Sequence, residues 1–227
     1  MRSRNIAFSI TIAAALAATS AAEAGLVVRS AGPSSSAYPP GRSVGDAAPI
    51  ALKPGDVITV LVSNATRVLR GPGTFTLGGG TRTAAAAFNA RGRFGAMRAG
   101  AVPSSPSLWH VDISQSGTIC IGPDTIVKLW RPENDLDVTL AIAGQGGATQ
   151  KVEWASGKDE LAWPTALPLS DGGEYQLTWT GNDDPTRLKI ARLTSVPIDP
   201  NGLAKAFIDK GCQSQLDLFI DNTPPAA

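Results

Sequence analysis

The sequence predicts a mainly β protein: a small β-meander domain followed by an antiparallel β-sandwich, with short helices near residues 81–91 and 201–211. Three observations carry this expectation. Short runs rich in Val, Ile, Leu, Thr and Trp alternate apolar with polar residues, the period of a half-buried strand. Glycine (24) and proline (17) are plentiful and lie between those runs, as tight turns require. Helix-forming patterns are confined to residues 81–89, around Ala84-Ala85-Ala86-Ala87, and 201–210.

Residues 1–24 read as a secretory signal. Arg2 and Arg4 supply a positive start, residues 6–18 are apolar, and Ala22-Glu23-Ala24 is an A-x-A site, so cleavage before Gly25 is expected. The competing reading, a membrane anchor, needs ~20 apolar residues, and this run is shorter. The expectation is therefore a soluble, periplasmic protein with no transmembrane anchor after cleavage. The remaining chain is long enough for one large or two small cores.

Residues 25–100 form the first domain. The run 26–29 is a short strand candidate, and 30–46, rich in Ser, Pro and Gly, reads as a mobile surface loop. Pro54-Gly55 suits the centre of a type II turn, since proline presets the first φ and glycine accepts the positive second one. Residues 56–62 and 66–70 then form two strands reversed at Ser63-Asn64-Ala65, with Gly71-Pro72-Gly73 breaking before a third at 74–77. A helix near 81–91 ends where Arg91, Arg93 and Arg98 gather, and cations suit the negative end of a helix dipole. Residues 101–106 are the linker.

Residues 107–221 carry about eight short strands with turn residues between them, the size and spacing of an immunoglobulin-like sandwich. Trp109, Val111 and Ile113 share one strand face, with His110 and Asp112 on the other. The same parity puts Val138, Leu140 and Ile142 together, Val152 with Trp154, Leu161 with Trp163, Tyr175 with Leu177 and Trp179, and Leu188 with Ile190. The helix 201–210 has Leu203 and Phe207 on its inner side. Residues 215–220 either continue it or add an edge strand, and the tail 222–227 is expected to fray.

Cys120 and Cys212 are the chain's two cysteines, and in an oxidising compartment one bridge is expected rather than two isolated thiols. It would close a loop of ~92 residues, worth ~4–5 kcal/mol in the chain-entropy account. No C-x-x-C motif is present, so the pair reads as structural.

Charge divides the chain. Residues 25–100 hold nine basic side chains against two acidic ones, while 101–227 hold nine against sixteen. Either the halves attract and dock, or the arginine-rich first half meets an anionic partner, an envelope protein or anionic surface polymer. Arg91, Arg93 and Arg98 are the contact candidates. No nucleic-acid motif appears.

The signals for chemistry are sparse. His110 is the single histidine; with Asp112 on its strand face it could form a base and its orienter, but no G-x-S-x-G or S-x-x-K motif accompanies it. Residues 133–137 and 182–184 are acidic turns without the EF-hand pattern. No metal or other cofactor is expected. The tryptophans could stack on sugars, but Trp109, Trp154, Trp163 and Trp179 share parity with aliphatic neighbours, as core residues do.

The segment 26–77, through Leu52-Lys53-Pro54-Gly55-Asp56-Val57-Ile58, Thr66-Arg67-Val68-Leu69 and Gly71-Pro72-Gly73-Thr74-Phe75, resembles the FecR-like periplasmic β-domain. Leu161-Ala162-Trp163-Pro164, Leu167-Pro168 and Asp171-Gly172-Gly173-Glu174-Tyr175 resemble strand edges of bacterial extracytoplasmic immunoglobulin-like modules. The likeness implies a non-enzymatic envelope protein engaged in sensing or protein contacts. FecR-type regulators span the inner membrane and signal to a sigma factor, whereas a cleavable signal is expected here in place of that span. The expected function is thus a non-catalytic periplasmic interaction or sensing accessory, with peptidoglycan or other glycan binding as the alternative and a His110 hydrolase as a third.

Overall fold

The apolar run Leu26-Val27-Val28 does not alternate, because both faces of its strand are covered. A computed structural model describes residues 25–78 and 105–226. The expected signal peptide, the helix near 81–91, most of the linker, and Arg91, Arg93 and Arg98 lie outside the described residues. In the first half the strands are β1 (Gly25–Ala31), β2 (Ser43–Val44), β3 (Ile50–Leu52), β4 (Val57–Val62), β5 (Ala65–Arg70) and β6 (Gly73–Phe75). A four-stranded sheet runs β2-β1-β4-β5, and β3 pairs with β6 as a separate ribbon. Val27, Ile58, Val60 and Leu69 face this ribbon in one core with Ile50, Leu52 and Leu77. Leu26, Val28 and Leu61 face the other way, toward the C-terminal helices.

The turn chemistry of this half matches the sequence. Gly55 has φ 87° and the Asp56 amide donates to the Lys53 carbonyl at 3.1 Å, which closes the Pro54-Gly55 turn. The buried Asp56 carboxylate then accepts from the amides of Ser34 (2.8 Å) and Lys53 (2.5 Å). Burial works to raise this carboxyl, but hydrogen bonds from Ser34 and Lys53 outweigh it and hold it below the usual carboxylate range. Through Ser34, Asp56 also anchors the segment 30–46, expected to be a mobile loop. That segment includes β2, and the Tyr38 hydroxyl accepts from the Ala51 amide. The third strand departs from the expected meander too: β6 leaves β5 and pairs with β3. Gly71 makes that departure possible, since a Cβ there would lie 2.0 Å from the Lys53 carbonyl oxygen.

The second half comprises β7 (His110–Asp112), β8 (Gly117–Ile121), β9 (Lys128–Trp130), β10 (Val138–Ala143), β11 (Thr149–Trp154), β12 (Glu160–Ala162), β13 (Glu174–Trp179) and β14 (Asn182–Arg192). Helices α1 (Pro200–Lys210) and α2 (Gln213–Asn222) follow. A five-stranded sheet, β11-β10-β13-β14-β8, and a three-stranded one, β12-β9-β7, share a core of Val111, Leu129, Leu140, Ile142, Leu177 and Ile190. Each such side chain contributes roughly 1.5–3 kcal/mol by leaving water. Most pairings are antiparallel, as expected, but β8 joins β14 and β7 joins β9 in parallel. Trp154 and Trp163 are buried in this core with Tyr175, whereas Trp179 is partly buried against it. Trp109 departs from its Val111 face and packs edge-on against Phe207, ring centroids 6.1 Å apart.

The C-terminal helices form a third layer. Asp199 caps α1 by accepting from the Gly202 amide at 2.6 Å, Pro200 opens it, and Gly211 (φ 74°) ends it in the left-handed conformation. Beyond that turn α2 is a helix, so residues 215–220 add no strand. Phe207, Leu216 and Ile220 fill the space between β1 and the Cys120–Leu193 side of the sandwich. Cys120 and Cys212 are bonded, Cα atoms 5.7 Å apart, as the sequence suggested. Gln215 completes the join on the free edge of β8. Its side-chain oxygen accepts from the Cys120 amide (2.6 Å), and its nitrogen donates to the Cys120 (2.9 Å) and Leu108 (2.7 Å) carbonyls.

The halves dock, as one reading of the charge split required. Arg29 on β1 pairs with Asp217 at 2.7 Å and Asp221 at 2.9 Å on α2. Burial works to lower its pKa, and the two carboxylates reverse the sign. The tail also contributes: Thr66 donates to the Pro224 carbonyl and accepts from the Ala226 amide, both at 2.8 Å. Residues 224–226 therefore cover the outer edge of β5 rather than fray.

Candidate functional site

The turns β9–β10 and β13–β14 lie at one end of the sandwich and enclose a cleft of about 520 Å³. Ile113, Pro132, Val138 and Trp179 form its apolar wall, and Glu133 and Asp135 its acidic rim. Local sequence builds each part. Arg131-Pro132 ends β9, since proline lacks the N–H that would extend the ladder. Thr180-Gly181 turns β13 into β14, with Gly181 at φ 92°. That turn leaves Trp179 at the strand end, partly buried, where its indole borders the cleft.

Arg131 organises the rim from below. It is 4% exposed, and all three guanidinium nitrogens are engaged. Nε donates to the Lys158 carbonyl at 2.9 Å, Nη1 to Leu136 at 2.9 Å and Nη2 to Ala155 at 2.7 Å. Its plane lies over the Trp154 ring, 4.9 Å from the centroid. Burial lowers its pKa, while Asp137, Asp135 and Asp159 act the other way. The main chain under Leu136 is thus tethered, yet its side chain is 73% exposed between two exposed aspartates. Neither Glu133 nor Asp135 makes a hydrogen bond or ion pair with any described residue.

His110 occupies a different place. Its side chain is 10% exposed and borders a smaller cavity, about 190 Å³, that also meets Ser105, Ser107, Asp112, Ser214 and Gln215. Recessed beside acids and serines, it is better placed for chemistry than its strand parity implied. The local bonds, however, are not those of a base and orienter. Asp112 turns to its own loop, accepting from Ser114 and Gln115. His110 Nε2 instead lies 3.5 Å from Glu160, which also accepts from Lys128 at 2.6 Å. The Lys128 bond holds Glu160 below the usual range; burial opposes it, and His110 adds to the lowering. His110 Nδ1 is buried without a partner. The Ser107 hydroxyl accepts from the Trp109 amide and that of Ser105 donates to a carbonyl, so neither is bonded to His110.

No protein-family model matches the chain, and no curated protein does. Among the described residues, no three His, Cys, Asp or Glu side chains converge as a metal cage, and no helix is long and apolar enough to cross a membrane. The arginine trio expected to make contacts lies outside the described residues. Sequence reasoning passed over the cleft because its residues come from separate turns. One signal was present: an isolated Leu136 inside an acidic turn, where a solvated loop has no use for it.

Proposed function

We propose that this chain is an exported, periplasmic, non-catalytic interaction module of the cell envelope, an accessory to sensing that contacts its partner through the cleft at the sandwich end. The carrying observation is an apolar wall with a half-exposed indole and a protruding Leu136, held on tethered main chain. Such preorganisation lowers the ordering cost of binding. The disulfide supports export, because structural bridges belong to oxidising compartments. The hydrogen bond from the Tyr175 hydroxyl to the Pro168 carbonyl, 2.6 Å and seven residues back, supports the immunoglobulin-like reading, since such sandwiches close the same corner in this way. Arg91, Arg93 and Arg98 remain a second proposed contact, toward an anionic envelope partner.

The test is site-specific photo-crosslinking from position 136 in periplasmic extract, with position 126 as an equally exposed control. A defined protein captured at 136 and not at 126 supports the reading; equal or absent capture refutes it. Trp179 favours one second reading, a glycan ligand stacked on the indole. Peptidoglycan co-sedimentation that disappears with Trp179→Ala would replace a protein partner with that polymer.

A further inference from the structure

We propose that the cleft binds a segment of a partner protein in which an aromatic or large apolar side chain is flanked by arginine or lysine. This rests on the interaction-module reading and names its ligand class. The volume, about 520 Å³, falls in the range of sites that hold a few side chains or a small molecule rather than a folded surface. The wall of Ile113, Val138 and the Trp179 indole suits an apolar anchor. Charge decides what surrounds that anchor. Glu133 and Asp135 stand exposed on the rim without a hydrogen bond to any described residue, although Asp135 acts through space on Arg131; Asp137, just outside the cleft, already accepts from the Ser156 amide at 2.6 Å. The one cation beneath, Arg131, has every nitrogen committed to a carbonyl.

An anionic ligand would meet the carboxylates first and find Arg131 only 4% exposed, with each nitrogen already donating to a carbonyl, so acidic peptides and acidic sugars are disfavoured. A cation beside the anchor meets the carboxylates directly, and one seated over the indole gains from its negative face. Neutral sugars would stack on Trp179 but leave the rim carboxylates unanswered. Complementary charge on either side of one apolar anchor is therefore the chemistry this site fits best.

The experiment is fluorescence-anisotropy titration of the signal-free chain with a blocked, labelled nonapeptide carrying one phenylalanine between two arginines. Its controls replace the arginines by glutamates or the phenylalanine by alanine. The arginine peptide should bind at least about tenfold more tightly than either control, with affinity falling as salt rises from 50 to 500 mM, as exposed charge pairs are screened. Glu133→Gln with Asp135→Asn should weaken it about tenfold while leaving the circular-dichroism spectrum that of the parent; both side chains are exposed, and Asp137 and Asp159 still support the charge of Arg131. Trp179→Ala should weaken it as well. Equal binding of the glutamate peptide, or a neutral chito-oligosaccharide competing with undiminished effect on the Gln/Asn variant, would overturn the proposal. Absence of peptide binding alongside specific capture at position 136 would also overturn it while sparing the interaction-module reading; failure of both removes both.

Discussion

Replacing Gln215 by leucine tests the join between the helices and the sandwich. The two side chains are similar in size, so the change removes polar contacts with little loss of volume. Three hydrogen bonds go, at 2.6, 2.9 and 2.7 Å, and the Cys120 amide, the Cys120 carbonyl and the Leu108 carbonyl lose their partner. A buried group left unsatisfied costs ~1–3 kcal/mol, and carbonyls tolerate it better than amides. Allowing for the added apolar burial, the expected loss is about 3 kcal/mol, or ~6–12 °C in melting temperature at this chain length. Urea unfolding with the disulfide intact measures it. Gln215→Glu sharpens the test: its carboxylate can accept from the Cys120 amide but would face two carbonyls. Folded, that carboxyl should be protonated more readily than in the unfolded chain. The variant should therefore regain stability below the unfolded carboxylate pKa of ~4.3 and lose it as pH rises toward neutrality. If Gln215→Leu stays within about 0.5 kcal/mol of the parent, where ordinary surface changes fall, the amide is not what holds α2 to β8.

Other outcomes follow from the same structure. Replacing Cys120 and Cys212 by alanine should cost up to ~4–5 kcal/mol, the chain-entropy value for a loop of this length, read as a lower urea midpoint; an unchanged midpoint would mean the noncovalent contacts of α1 and α2 suffice. Gly71→Ala should cost ~2–4 kcal/mol, the range of severe steric changes, because its Cβ would meet main chain at 2.0 Å; a melting temperature equal to the parent's would contradict the turn geometry. Asp56→Asn should be destabilising near neutral pH, and the gap to the parent should close as pH falls. The sign follows from a carboxyl held below its ordinary range: its contribution is present above ~4 and lost as pH drops through the folded pKa. A gap unchanged down to pH 2 would refute that account. Arg131→Met should free the Leu136, Ala155 and Lys158 carbonyls and speed amide exchange through residues 133–137; unaltered exchange there would show that the loop holds itself.

The fold class, the Pro54-Gly55 turn, the paired cysteines, the parity of most sandwich strands (Trp109 excepted) and the α1 boundaries were legible in the sequence. Each depends on neighbours a few residues apart: glycine's left-handed φ, proline's missing N–H, the two-residue period of a strand. The long-range arrangement was not. Nothing local says that β6 should leave β5 for β3, that β8 should run parallel to β14, or that 224–226 should pair with Thr66. Such pairings are chosen by which apolar faces can close over one another.

The candidate site divides in the same way. An apolar residue in an acidic turn could be read from the chain, and so could a histidine without a recognisable nucleophile motif. Only the tertiary structure decided that Trp179, Leu136 and two exposed carboxylates share one cleft, that Arg131 donates each of its nitrogens to a carbonyl, and that His110 faces Glu160 instead of Asp112. Spacing along the chain constrains a side chain's neighbours for a turn or two; beyond that, packing chooses them, because a buried group must meet whatever the opposing layer presents.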